Sequence, residues 1–385
     1  MEEWKEYKLG EITNMKNGKK RPQSNGVFPV YGGNGIMDYS DSYNAENAII
    51  VGRVGAYCGC VYKCDGKCWV SDNAISVFAK DIVDTQFLYY LMTTVDFHHH
   101  HIGGAQPLMT QDIIGDFTVS IPPLSVQNQI VHILKSFDDK IEVNRQINDN
   151  LEQQAQALFK SWFVDFEPFR DGEFVDSELG MIPKGWAVNK LNEICHNITD
   201  GVHNTVKDDI DGSYYLLSAK NIKRGLLEIS KNDRKINKET FEKLRRRTKL
   251  EKGDILLTSV GTIGELLLLK SAPANYEFQR SVAIIKPNKD IVNSSYIYES
   301  LKARINDVKN LAHGAVQQCI FIGDLKDFKL IVAPNCLIQK FNELVSNLYE
   351  IIESINDESF HLAELRDTLL PRLMSGELKV NDVEI

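Results

Sequence analysis

Apolar and amide side chains recur alternately four and three positions apart at Ile130, Leu134, Phe137, Ile141, Asn144, Asn148, Leu151, Ala155, Leu158 and Trp162. This spacing is the a/d seam of a coiled coil, and neither Gly nor Pro interrupts it. The pattern returns 211 positions later, at Phe341, Val345, Leu348, Ile352, Ile355, Ser359, Leu362, Arg366, Leu369 and Leu373. It predicts two copies of one helix, each roughly 50 Å long at the usual rise, paired antiparallel with each other.

A larger region with β-type patterning precedes each helix. The first opens on Trp4 and Leu9-Gly10-Glu11-Ile12, the second on Trp186 and Leu191-Asn192-Glu193-Ile194 at the same spacing, so the repeat includes the globular parts. Residues 48–51 and 255–257 read as buried strands, each leading into a glycine turn, at Gly55 and at Gly261 and Gly264. One helix follows in each region, over residues 85–95 and 294–309, and then a Gly-Ala turn at 104–105 and 314–315. A last strand ends in proline (Pro122-Pro123 and Pro334), where the long helix starts. The predicted fold is α+β: two β-rich domains (1–124 and 186–334), two helical regions (125–165 and 335–378) and a linker (166–185), with pseudo-two-fold symmetry.

The net charge of −9 does not by itself suggest a nucleic-acid partner. Its distribution changes that picture, because residues 173–334 carry 25 Lys and Arg against 21 Asp and Glu while the helical segments are acidic. An odd count of 7 cysteines fits free thiols and a cytoplasmic setting, and no apolar run reaches transmembrane length. Cys58, Cys60, Cys64 and Cys68 can be written as a zinc set, but the spacing is not that of a standard knuckle. Asp65-Gly66 between them reads more simply as a hairpin turn. His98 to His101 reads as a solvated cluster after a helix, with phosphate or metal contact as alternatives.

Residues 177–186, Ser-Glu-Leu-Gly-Met-Ile-Pro-Lys-Gly-Trp, and residues 369–378, Leu-Leu-Pro-Arg-Leu-Met-Ser-Gly-Glu-Leu, carry a specific resemblance. With the order of domains and helices, they make the whole chain similar to the specificity subunits of type I restriction-modification systems. The chain departs from the family pattern at Gln127, where a glutamate is usual. The resemblance implies two target-recognition domains, each reading half of a split site in double-stranded DNA, held apart by an antiparallel coiled coil. It also implies two DNA adenine methyltransferase subunits and restriction/translocase subunits as partners, with no catalytic site, cofactor or metal in this chain. The residues agree: the sole Pro-Pro lacks the amide and aromatic neighbours of a methyltransferase loop, and no GxxxxGK[ST] cradle occurs. A helical adaptor carrying two domains for ligands other than DNA is the alternative.

Base edges are read by polar and cationic side chains on loops. The candidates are Lys19, Lys20, Arg21, Asn34, Arg53 and Gln106 in the first domain. In the second they are His203, Asn204, Thr205, Ser218, Lys220, Asn221, Thr258 and Gln317. Arg245-Arg246-Arg247 reads as a solvated or phosphate-contacting patch. Ile133, Phe159, Phe163, Leu344, Leu370 and Met374 are apolar at equivalent helix positions outside the seam. They are candidates for binding methyltransferase subunits, or for packing against the domains.

Overall fold

The apolar run at residues 48–51 lies in the middle of a sheet. A computed structural model describes residues 4–22, 25–103, 106–230, 232–314 and 318–382. In the first domain the strands are β1 (Lys5–Lys8), β2 (Thr13–Asn17), β3 (Phe28–Gly32), β4 (Gly35–Ser40), β5 (Ala45–Gly52), β6 (Val61–Val70), β7 (Ala74–Ala79) and β8 (Thr118–Ile121). Its helices are α1 (Leu9–Ile12), α2 (Thr85–Thr94) and α3 (Gln111–Asp116), and then the long α4 (Leu124–Phe163). A six-stranded sheet runs β2-β7-β5-β6-β3-β4. Its β3–β6 pair is parallel and its other pairs are antiparallel. Ile49 and Val51 face one core with Phe87 and Leu88 of α2, and Ala48 and Ile50 face a second.

The linker holds β9 (Phe174–Val175) and β10 (Ile182–Pro183). The second domain follows with β11 (Ala187–Lys190), α5 (Leu191–Ile194), β12 (Cys195–Asp200), β13 (Tyr214–Leu217), β14 (Ile222–Lys223), β15 (Leu226–Leu227) and β16 (Lys235–Ile236). Next come α6 (Lys238–Thr248), β17 (Ile255–Thr258), β18 (Leu266–Leu268), β19 (Tyr276–Phe278) and β20 (Val282–Pro287). The chain closes with α7 (Ser294–Ala303), α8 (Ile305–Lys309), α9 (Ile322–Asp327), β21 (Lys329–Val332) and the long α10 (Asn335–Met374). Here the sheet divides into β12-β20-β17-β18 and β16-β13-β19, with β13–β19 parallel.

The chain forms two units that differ from its sequence halves: Met1–Arg145 with Asn356–Ile385, and Gln146–Ile355. Each therefore contains one domain, the first half of one long helix and the last half of the other. Within the first unit the helices pair antiparallel. Asp138 bonds Arg366 at 2.6 Å, and Asn144 donates to Ser359 at 3.1 Å, the pairing given by antiparallel alignment of the seams 130–162 and 341–373 about their midpoints, residues 146 and 357. Ile130, Ile133 and Leu134 join Leu373 and Met374 in the first domain's core. In the second unit Ala155, Phe159 and Phe163 join Phe341 and Val345 around Tyr296.

Three local expectations need correction. Asp65-Gly66 is a β-bulge inside one continuous strand, because both ends of β6 pair with β5 and only Asn47 opposes the two residues. Gly66 takes the positive φ and donates to Asn47 Oδ1 at 2.7 Å. The predicted helix over 294–309 breaks at Arg304. Arg245 is not solvated: it caps the fully buried Glu277 and donates to Pro273 O at 2.7 Å and Tyr276 O at 2.9 Å. Gln127 is wholly buried and its Nε2 donates to Pro122 O at 2.8 Å and Ile82 O at 3.1 Å. An ionised glutamate has no donor for either bond and a protonated one only a single donor, so the departure at this position has a structural use.

Candidate nucleic-acid interface

In the first domain one sheet edge gathers most of the candidate loops. Gly18 N–H donates to Ala74 O at 3.0 Å and Lys19 N–H to Val70 O at 3.0 Å. A Cβ on Gly18 would stand 1.9 Å from Ser71 O, so this crossing requires glycine. The turn of residues 71–74 is tied to β3 by Ser71 N–H to Tyr31 O at 2.9 Å, beside the hairpin bearing Asn34. Arg53 leaves β5 against the same turn, with its N–H on Asn73 O at 2.8 Å and its Nη1 on Asp72 O at 3.3 Å. Met109 N–H to Arg53 O (2.8 Å) and Gly55 N–H to Pro107 O (3.1 Å) draw in the loop of Gln106. Lys19, Lys20, Asn34 and Gln106 are exposed, and Arg21 is ion-paired to Asp38.

The second domain repeats this construction. Gly201 N–H donates to Val282 O at 3.1 Å, Val202 N–H to Phe278 O at 2.9 Å and Gln279 N–H to Leu217 O at 2.8 Å. Ser259 N–H reaches Ser281 O at 2.9 Å, and Ile320 N–H reaches Ser259 O at 2.9 Å. His203 stands exposed with Nε2 2.6 Å from Asp200 Oδ2, and Asn204 and Thr205 beyond it are exposed. The loops enclose a cleft of about 660 Å³ lined by Asp200, His203, Ser259, Arg280, Phe321 and Lys326.

Two candidates turn inward. Asn221 is buried, with Oδ1 accepting from Ser218 N–H at 3.0 Å and Nδ2 donating to Asp233 at 2.8 Å. Thr258 is fully buried, bonded to Thr262 O and accepting from Glu265 N–H at 2.9 Å. They shape loops rather than present a group to DNA. Lys220 remains largely exposed while its ammonium lies 2.7 Å from Asp233. Burial pushes the Asp233 carboxyl up, but Lys220 and the Ser230 N–H prevail and hold it below the usual carboxylate range. Gln317 lies outside the described residues. Arg280, Ser259 and Lys326 escape a reading of the sequence, and only the match between the two edges brings them out.

The helix candidates divide in the same way. Ile133, Phe159, Phe163 and Met374 are each under 5% exposed in the core of their own unit, and Leu370 packs beside them, so they brace domains rather than offer a docking face. Leu344 is 49% exposed. The exposed apolar helix residues include Ile351, Phe360 and Leu365 as well. Among the described residues no group of three or more His, Cys, Asp or Glu could hold a metal ion, and no helix is long and apolar enough to cross a membrane.

The family model described as "Type I restriction modification DNA specificity domain" matches residues 1–153 and 183–358. The chain belongs to this family. It is 28% identical over 317 residues to the type I restriction enzyme MjaIX specificity subunit of Methanocaldococcus jannaschii, covering 80% of this chain and 72% of that one. It is 24% identical over 470 residues to the HindI specificity subunit of Haemophilus influenzae, covering 98% of this chain and all of the relative. The crystal structure of a type I restriction-modification S subunit from M. genitalium shares the fold, with a TM-score of 0.52 at 17% identity over 97% of this chain and 96% of the other. As a specificity subunit the chain is a non-catalytic component of its system. The stretches of most specific family resemblance are packing devices. Trp186, which ends the 177–186 stretch, is buried against Phe163, Phe166 and Phe169, and Leu373 and Met374 of the terminal motif fill the first domain.

Proposed function

We propose that this specificity subunit reads a bipartite site in double-stranded DNA, one half with each of the two loop edges. We further propose that it scaffolds two adenine methyltransferase subunits and the restriction subunits of a type I complex. The observation that carries the reading is the repeated edge, on which polar and cationic loops converge around the same backbone crossing in both domains. Lysines at 19, 20 and 326 are suited to phosphates, which set affinity and its salt dependence, while shorter polar groups and arginines are suited to base edges. Because the loop residues differ between domains, the two half-sites differ in sequence. Leu344, Ile351, Phe360 and Leu365 on α10 are the apolar groups available to the methyltransferase subunits.

The test is selection from random duplexes by the full-length chain together with methyltransferase subunits. An enriched motif in two parts separated by a fixed unread spacer supports the reading. Stable assembly with no enriched motif would favour the helical adaptor instead.

A further inference from the structure

The two edges share the hydrogen bonds donated by Gly18 and Gly201, Lys19 and Val202, Ser71 and Gln279, Arg53 and Ser259, and Met109 and Ile320. This places Ser71-Asp72-Asn73-Ala74 and Gln279-Arg280-Ser281-Val282 at equivalent positions, and likewise Arg53 and Ser259. The side chains at these positions are exchanged. The first domain has arginine on the strand exit and aspartate in the turn, whereas the second has serine on the strand exit and arginine in the turn. Arg53 crosses the gap, since its Nη1 reaches Asp72 O at 3.3 Å and so lies over the very residue whose counterpart is Arg280. One arginine thus reaches this turn position from the strand exit, while the other is carried on the turn itself.

We infer that Arg53 and Arg280 are equivalent specificity-determining residues, each reading a guanine in the half-site that its domain contacts. This rests on the proposed reading of split DNA. Several arginines are spent on carboxylates: Arg21 on Asp38, Arg234 on Asp208, Arg245 on Glu277 and Arg366 on Asp138. Arg224, Arg246 and Arg247 have no such pair among the described residues but lie at neither the turn nor the strand-exit position. Among the described residues, neither Arg53 nor Arg280 has such an ion pair. A guanidinium without a carboxylate partner keeps donors of its planar fork available, in Arg53 those other than the one on Asp72 O. Guanine is the base that offers two adjacent acceptors, O6 and N7, in the major groove. The position is also central to the edge. Arg280 N–H donates to Val202 O at 3.0 Å on one side, while Ser259 O holds Ile320 on the other. In the first domain Arg53 is flanked likewise by the turn and by Met109. Lysines at the flanks suit the phosphates, and the fork in the middle suits the base edge.

The experiment is duplex selection by the full-length chain with methyltransferase subunits, comparing wild type with R53S, R280S, R53K, R280K and R53S/D72R. Expected for R53S and R280S is a loss of guanine preference at one position each, in different half-sites, with discrimination there falling about tenfold or more. The lysine variants lose the same preference while keeping the slope of affinity against salt, since charge stays and the fork goes. R53S/D72R recovers the preference lost in R53S, because the guanidinium returns on the turn itself. If serine substitution weakens all sequences alike and makes the salt slope shallower by about one, the arginines contact phosphate and the inference fails. It fails too if the wild-type split motif survives in every variant. A wild type that enriches no split motif overturns the underlying reading itself. Should a serine variant not fold, its lysine counterpart still decides the outcome.

Discussion

Glu299 of α7 is 1% exposed, with Oε1 accepting from the Tyr349 hydroxyl at 2.5 Å. Burial raises its pKa, against the opposing pull of Lys302 and Tyr349, and Glu152 adds to the rise. Glu277 and Asp254 are raised by burial as well. For a carboxyl raised in the folded state, the folded protein holds its proton more tightly than the unfolded chain does. Its contribution to stability is therefore present in full below the ordinary value of 4.5 and is lost as pH rises through the higher folded value. The second domain should thus melt at higher temperature on mild acidification, until protonation of exposed ion pairs opposes the gain. Replacing Glu299 with Gln keeps the hydrogen bond to Tyr349 without the buried charge. Melting curves should show E299Q above wild type at pH 7, with a smaller gain on moving to pH 5. A lower melting temperature at pH 7 would show that the charge is stabilising where it stands.

At the scale of elements, the central seam position Asn144 is 1% exposed and donates through Nδ2 to Glu358 at 2.7 Å and to Ser359. Its Oδ1 is buried without a hydrogen-bond partner among the described residues. Such a residue lowers stability and fixes register. Asn144→Leu should raise stability by roughly 1 kcal/mol, while hydrogen exchange in residues 356–374 becomes faster because slipped pairings are no longer penalised. A fall in melting temperature would contradict this. The seam itself was legible in the sequence, since a period of 3.5 in side-chain polarity is a direct image of helix pairing. The launching prolines and the residues 48–51 core strand were equally plain, because each depends on its own neighbourhood. The bulge at Gly66 was not, because a glycine after an aspartate has the same local signature in a hairpin and in a bulge. Arg245 was hidden among three arginines, and only packing against Glu277 distinguishes it from exposed Arg246. The exchange between Arg53 and Arg280 lay deeper still, since the turns that align them are set by strand register across residues far apart in the chain.

Over the whole molecule, the first unit is assembled from both ends of the sequence and the second from its continuous middle. Leu373 is fully buried in the first domain's core beside Ile130 and Leu134, although it lies more than 200 positions away from them. Leu373→Ala should cost about 2–5 kcal/mol, and hydrogen exchange should show the loss in α2 and the six-stranded sheet rather than in the domain next to it in sequence. The same dependence bears on half of the chain. Residues 1–171 contain the first domain and all of α4, but lack the α10 tail that completes the domain's core. In the repeat Trp162 and Phe163 stand where Leu373 and Met374 stand, so the far end of α4 from a second copy can supply the missing piece. An antiparallel homodimer about residue 146 sets Asn144 against Asn148 of the other copy and Ile141 against Leu151, which is a self-complementary seam and a closed two-fold contact. The fragment should therefore run as a dimer in light scattering. With methyltransferase subunits added, it should select an inverted repeat of the wild-type first half-site, since both heads are then identical. The larger aromatics must fit a pocket shaped for leucine and methionine, and Trp162→Leu with Phe163→Met in the fragment should tighten the dimer if that mismatch limits it. A folded monomer would refute self-pairing, and a dimer that selects only an asymmetric site would refute the equivalence of the two halves.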